Sequence, residues 1–153
     1  MKLHRTTPAH PHYRELVDAL DEELTITDGE DHDFYDQFNG SEDIHHVLLL
    51  EEPAGVYLAC GALKQFDDRT MEIKRMYTVE AARGRGLAGR VLRELERWAT
   101  ELGYGRLILE TGTRQTAALR LYTKHGYRRM AENYAQYAGV ANSVCFEKVL
   151  TAQ

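Results

Sequence analysis

Arg83-Gly84-Arg85-Gly86-Leu87-Ala88-Gly89 is the stretch on which the fold turns. Before it, Met71–Val79 reads as a β-strand. After it, Leu87, Val91, Leu92, Leu95, Trp98, Ala99 and Leu102 fall on one face of a long helix, with Gly103 as its left-handed terminator. A helix that opens at Leu87 leaves its first N–H groups without intrahelical partners and turns the positive end of its dipole toward the loop. Gly84 and Gly86 lack a Cβ, so a phosphate has room to approach the main chain, and Arg83 and Arg85 offer charge-assisted contacts. Strand, glycines, arginines and helix in this order predict a phosphate-binding turn.

Working outward, Arg106–Glu110 reads as a short buried strand, so residues 71–110 form a β-loop-α-β unit with one parallel pair. A second helix is expected over Arg114–Lys124, with Gln115 and Thr113 as candidate caps and Thr113 the better type, Ala118, Leu119, Leu121 and Tyr122 inward, and Gly126 at its end. Tyr127–Met130 and Ser143–Val149 read as closing strands. Upstream, His46–Glu51 and Gly55–Lys64 are joined by the turn Glu52-Pro53-Ala54-Gly55, and a second turn leads into Met71–Val79, giving an antiparallel meander. Structure is expected to begin with a helix after Pro11, carrying Tyr13, Leu16, Val17, Leu20 and Leu24 inward. Thr25–Asp33 reads as a loop, and Phe34, Tyr35 and Phe38 as a short further helix. The sum is an α/β fold: an antiparallel meander, then a parallel β-loop-α-β junction in one mixed sheet, with helices on both faces.

The 153 residues, 43% apolar and 28% charged, suit one domain over 1–153. The longest strongly apolar run, Val47–Leu50, is far short of the ~20 residues of a membrane helix, and no apolar stretch of signal type follows Met1-Lys2. A soluble, cytoplasmic protein with no membrane partner is expected. Cys60 and Cys145 have neither scaffold nor metal spacing, and Cys60 reads as a small core residue. His10-x-His12 and His45-His46 lack further ligands, so no metal is expected. Residues 1–70 hold 5 basic against 16 acidic side chains, and residues 71–153 hold 14 against 8. The acidic total disfavours nucleic acid, while the basic second half suits a compact polyanion.

Gly84-x-Gly86-x-x-Gly89 satisfies the dinucleotide fingerprint literally, with Glu110 near the place of its ribose acid. Its context does not, because Glu80–Arg83 separate the glycines from the strand and no second mononucleotide half follows. Arg83-Gly84-Arg85-Gly86 as an arginine-glycine nucleic-acid module has too few repeats and no interleaved aromatics.

Arg83-x-x-Gly86-x-Ala88 resembles the acetyl-CoA signature of the Gcn5-related N-acetyltransferases (GNAT), Gln/Arg-x-x-Gly-x-Gly/Ala. Leu121-Tyr122-Thr123-Lys124-His125-Gly126-Tyr127 is similar to that family's second motif, and the resemblance covers about residues 45–149. Cys60–Lys64, Glu72–Met76 and Leu109–Gly112 further resemble a small bacterial subgroup of undefined substrate. One departure is Thr78-Val79-Glu80, where many members carry Val-x-Pro.

The resemblance implies acetyl-CoA as co-substrate and direct transfer from its thioester to a primary amine in a ternary complex. Main-chain groups of Met76, Tyr77 and Thr78 are then expected along the pantetheine arm, and those of Arg83, Gly84, Arg85, Gly86, Leu87 and Ala88 at the diphosphate. Tyr122 matches the tyrosine that protonates the leaving thiolate. Glu72 sits where some members carry a catalytic glutamate, and by strand alternation it shares a side with Lys74 and Met76. Glu110 is a second carboxylate to weigh, as a base or as a hydrogen-bonding group. Arg90, Arg93 and Arg97 form a helix stripe, with Arg90 in reach of the nucleotide end. Ten acidic residues between Asp21 and Asp43, with Phe34, Tyr35, Phe38, Tyr134 and Tyr137 as aromatic walls, suit a small cationic amine as partner. The other readings are a non-catalytic acyl-CoA sensor and a transferase acting on protein lysines or N-termini. A homodimer is an analogy with similar proteins.

Overall fold

The computed structural model describes residues 1–28 and 43–151. Its elements are β1 (Lys2–Thr6), α1 (Pro11–Asp28), β2 (Ile44–Glu51), β3 (Tyr57–Gln65), β4 (Thr70–Thr78), α2 (Leu87–Glu101), β5 (Arg106–Gly112), α3 (Thr116–Lys124), β6 (Arg128–Arg129) and β7 (Ser143–Val149). The described strands form one sheet in the order β1-β2-β3-β4-β5-β7-β6, in which β4 and β5 are parallel and all other neighbours antiparallel. The mixed α/β sheet expected from the sequence is therefore present.

The apolar run of β2 shows why helices lie on both faces. Leu48 and Leu50 belong to the core beneath α2, with Val91, Leu92 and Leu95. Val47 and Leu49, one position out of phase, join Tyr13, Leu16 and Val17 of α1 on the opposite face. A strand buried on both sides loses the polar alternation of a half-exposed one.

β1 was not expected. Its sequence, Lys2-Leu3-His4-Arg5-Thr6, is polar because it is an edge strand. It is tied in through His4 to Glu51 at 2.7 Å and Arg5 to Glu94 at 2.9 Å, with the Arg5 guanidinium over the Trp98 ring. α1 also runs on to Asp28 through residues read as loop. The Thr25 and Thr27 hydroxyls donate back to the carbonyls of Asp21 and Glu23, at 2.9 and 3.1 Å, an arrangement that seats threonine inside a helix. The Phe34–Phe38 cluster lies outside the described residues. The third helix starts at Thr116, its N-cap position falls to Gln115 without a side-chain bond, and β6 is only two residues long.

The helices α2 and α3 end alike. After α2, Gly103 N–H donates to Thr100 O and Tyr104 N–H to Ala99 O; after α3, Gly126 N–H donates to Thr123 O and Tyr127 N–H to Tyr122 O. Each pair is a Schellman motif on a glycine of positive φ.

β4 contains a bulge. Cys60 pairs with Tyr77 but Ala62 pairs with Lys74, so Arg75 and Met76 together face Gly61, and Arg75 takes φ 60°. This overturns one expectation drawn from simple alternation. Glu72 and Lys74 stay on the α1 face, while Met76 is moved to the α2 face beside Val91 and Leu95. Gly61 makes the room: a Cβ there would lie 2.7 Å from Met76 Sδ and 2.9 Å from Leu95 and Val91 carbons. Among the described residues no helix is long and apolar enough to cross a membrane.

Candidate active site

The parallel pairing of β4 and β5 is short. It joins Thr70, Met71 and Glu72 to Arg106, Leu107 and Ile108, and the bulge lies just beyond. A cleft of about 640 Å³ is lined by both strands past that point, by the start of α2, by α3 and by Leu20, Glu23 and Leu24 of α1.

The glycine loop forms one part of its lining. Val79 leads into a short 3-10 turn, Glu80–Ala82, after which the chain passes Gly84 at φ 81° and Gly86 at φ 74°, the latter capping α2. An ideal Cβ at either glycine meets no atom within 4 Å. The left-handed backbone and open space beside it therefore call for these glycines, and tight packing within the protein does not. Gly89 is different: a Cβ there would sit 2.8 Å from His125 Nε2, so this glycine lets α2 and the end of α3 approach closely. Burial and the neighbouring Arg93 push His125 below its ordinary range.

Met76, Tyr77, Thr78, Arg83, Gly84, Gly86, Leu87 and Ala88 all line the cleft, whereas Arg85 and Arg90 do not. The Arg83 side chain is turned back: it donates to Thr78 O at 3.0 Å and Glu23 Oε2 at 2.7 Å, and lies over the Tyr77 ring. What this loop presents to a phosphate is thus chiefly main chain and the N-terminal turn of α2.

Tyr122 lines the cleft from α3 and is 5% exposed, with its ring against Tyr127 and Phe146. Burial, and then the charge of Glu110, raise its pKa well above the ordinary tyrosine value. It is a protonated phenol at any physiological pH, able to give a proton to a stronger base formed beside it.

The carboxylates occupy the other face of the sheet. Glu72, 5% exposed, accepts a hydrogen bond from the Tyr134 hydroxyl on Oε2 at 2.5 Å, and Lys74 Nζ lies 3.9 Å from the same oxygen. Glu110 accepts from Ser143 Oγ at 2.7 Å, so the hydrogen-bonding role weighed for it is present. Burial pushes Lys74 below the usual lysine range, opposed by Glu72. Arg75, held by the bulge on the α1 side, makes a two-pronged pair with Asp21 of α1 at 2.8 and 3.2 Å. Two of the acidic residues assigned to substrate attraction, Asp21 and Glu23, are thus ion-paired to Arg75 and Arg83. Cys60 donates to Arg75 O, and burial pushes its thiol up to about 12, as suits a core residue.

Sequence reasoning placed Tyr134 and Tyr137 only as pocket walls, weighed Lys74 only as an ion-pair partner of Glu72, which the structure bears out, and gave Arg75 no role. Tyr134 meets Glu72 across 62 positions, a contact with no local signature. Lys74 and Arg75 were legible as an unusual pair of buried cations only once the bulge was known.

The model of the Acetyltransferase (GNAT) family matches residues 13–127. The uncharacterized N-acetyltransferase YsnE of Bacillus subtilis (strain 168) is 40% identical over 93 residues, 60% of this chain and 61% of its own length. The chain thus spans about three-fifths of that curated relative. A crystal structure from Klebsiella pneumoniae, classed with the acyl-CoA N-acyltransferases, superposes with TM-score 0.82 and 28% identity, covering 98% of this chain and 97% of its own. An Elizabethkingia anophelis GNAT acetyltransferase solved with acetyl-CoA bound shares the fold at TM-score 0.71 and 20% identity, covering 97% of both chains. The chain belongs to the acetyltransferase (GNAT) family.

Proposed function

We propose that this chain transfers the acetyl group of acetyl-CoA to a primary amine of a small molecule, by direct attack in a ternary complex. The observation that carries the proposal is the single cleft shared by the glycine loop, the bulged half of β4, a buried protonated tyrosine and a buried glutamate. Open space beside Gly84 and Gly86 fits a diphosphate laid against the main chain.

Acetyl-CoA, when bound, supplies an acetyl group activated as a thioester. Main-chain groups of Met76, Tyr77 and Thr78 would hold its amide-bearing arm, and those of Arg83, Gly84, Gly86, Leu87 and Ala88 its diphosphate, while Arg85 stands outside the cleft. An alkylamine with a pKa near ~10 is mostly an ammonium at neutral pH, so it must lose a proton before it can attack. Glu72 takes that proton. The C–N bond forms as the C–S bond breaks; Tyr122 Oη gives a proton to the leaving sulfur and regains one from the acylated nitrogen. Glu72 and Tyr122 belong to opposite faces of the sheet, which keeps the base on the amine side and the acid on the sulfur side.

Calorimetric titration with acetyl-CoA, with NADH as control, tests the cradle: micromolar acetyl-CoA binding and no NADH binding are expected. No acetyl-CoA binding sinks the proposal. Release of CoA is then followed with benzylamine, putrescine, glycine and a lysine-containing peptide. Turnover of the small amines is expected; turnover of the peptide alone redirects the reading to a protein acetyltransferase. Binding without turnover of any amine leaves an acyl-CoA sensor.

A further inference from the structure

Tyr134 belongs to the chain segment between β6 and β7, and the structure holds it there by several independent contacts. Asn133 Nδ2 donates to Val140 O at 3.2 Å and Ser143 O at 2.8 Å, closing the segment on itself. The Tyr134 ring meets the Phe66 and Tyr137 rings edge-on, at 5.6 Å in each case. Tyr137 beneath it is 1% exposed and packs with Cys145 of β7. The hydroxyl at the end of this anchored ring donates to Glu72 Oε2 at 2.5 Å. Lys74 approaches that same oxygen.

From this geometry we infer that Tyr134 is a positioning residue: it turns Oε2 of Glu72 to the β6–β7 segment and leaves Oε1 to face the amine. The role assigned to Oε1 rests on Glu72 being the base; the hold of Tyr134 on Glu72 does not. A glutamate has three side-chain torsions, and freedom in them disperses its oxygens; a hydrogen bond from a ring with only two torsions fixes one oxygen at small entropic cost. A base must lie within hydrogen-bond reach of the proton it takes, so an orientation fixed beforehand contributes to the rate.

Among the described residues, the charged and titratable groups around Glu72 are Lys74 on its own strand, Lys64 opposite it on β3, Glu110 on β5, Cys145 on β7, and Tyr134 and Tyr137. Replacing Tyr134 by Phe removes one donor and leaves these other groups in place. A donor to a carboxylate favours its charged form, so its removal moves the carboxyl titration to higher pH.

The test needs no substrate. Protein labelled with ¹³C at the glutamate carboxyls is titrated by NMR, the Glu72 signal being assigned by its absence in Glu72→Gln. In Tyr134→Phe the Glu72 midpoint is expected to rise, the direction in which a carboxylate moves when it loses a hydrogen-bond donor. An unmoved midpoint overturns the inference. Should Tyr134→Phe fail to fold, 3-fluorotyrosine, a stronger donor of nearly the same shape, is expected to lower the midpoint instead; no change again overturns it. A kinetic arm separates the two claims. If Glu72→Gln keeps the acidic limb of the wild-type pH–rate profile, the base lies elsewhere and the role of Oε1 fails with it, while the NMR result still judges the hold of Tyr134 on Glu72. If Glu72→Gln removes that limb and Tyr134→Phe moves it up with the NMR midpoint, both stand.

Discussion

The loop side of the cleft is built from nearly contiguous chain, Met76 through Gly89, with Tyr122 added from α3. The Glu72 side gathers Glu72 and Lys74 from β4, Glu110 from β5, Ser143 from β7 and Tyr134 from the segment before it. Main-chain N–H groups and glycine conformations dominate the first, and long-range side-chain hydrogen bonds dominate the second. A ligand shared by many proteins suits the first construction, because backbone groups survive substitution. An acceptor that differs from one relative to the next suits the second. Substitutions on the two sides should therefore separate cofactor affinity from turnover.

The largest effect is expected at Tyr122, the proton donor of the loop side. Tyr122→Phe should lower kcat by about 10²-fold or more, the usual contribution of a positioned acid, and change acetyl-CoA affinity less than twofold. Stopped assays of CoA release and calorimetry read the two quantities separately. An unchanged kcat removes Tyr122 from the mechanism. A kcat loss matched by an equal affinity loss would instead make it part of the binding wall.

Gly86→Ala probes the loop side alone. The added Cβ meets no protein atom but must adopt φ 74°, a left-handed conformation costing about 1–2 kcal/mol. If the loop relaxes to avoid that strain, the N–H groups of the cradle turn away, and acetyl-CoA affinity should fall roughly tenfold, the equivalent of that cost. The kcat at saturating acetyl-CoA and the KM for the amine should hold. A shift in amine KM as large as that in acetyl-CoA affinity would erase the proposed division of the cleft.

That division also explains what the sequence made legible. The glycine loop, α2, β5 and the Leu121–Tyr127 motif were readable because each rests on neighbours a few positions apart: helix periodicity, a terminal glycine, a tyrosine four places before one. β1 was not readable, since an edge strand of Lys2, His4 and Arg5 draws its pairing from Glu51, Glu94 and Glu101 far along the chain. The bulge at Arg75 carried no local mark either. It arises from how β4 packs over Gly61 and under α2, and it alone decides that Met76 leaves the side of Glu72. The Tyr134–Glu72 contact joins the β6–β7 segment to β4 across the intervening β5, a meeting settled by the whole fold.

The smallest effects test the two ion pairs by which α1 grips β4 and the glycine loop. They look alike in sequence, an acidic residue of one helix reaching an arginine, but differ in setting. The Arg75 side chain is 5% exposed and donates to both carboxylate oxygens of Asp21, whereas Arg83 and Glu23 are each 43% exposed. Asp21→Asn leaves a buried guanidinium short of its counter-charge, and since Asp21 itself is partly open to water the cost should be about 2 kcal/mol, below that of a fully buried pair. Glu23→Gln frees a guanidinium that water can solvate, and should cost at most about 0.5 kcal/mol. Urea unfolding of the two variants at low and high salt measures the difference: added salt should shrink the Glu23→Gln cost further and leave the Asp21→Asn cost nearly intact. Equal costs would mean that the bulge does not shelter Arg75, and that α1 is held to the sheet chiefly by its apolar contacts, those with Cys60 and Ala62 of β3 among them.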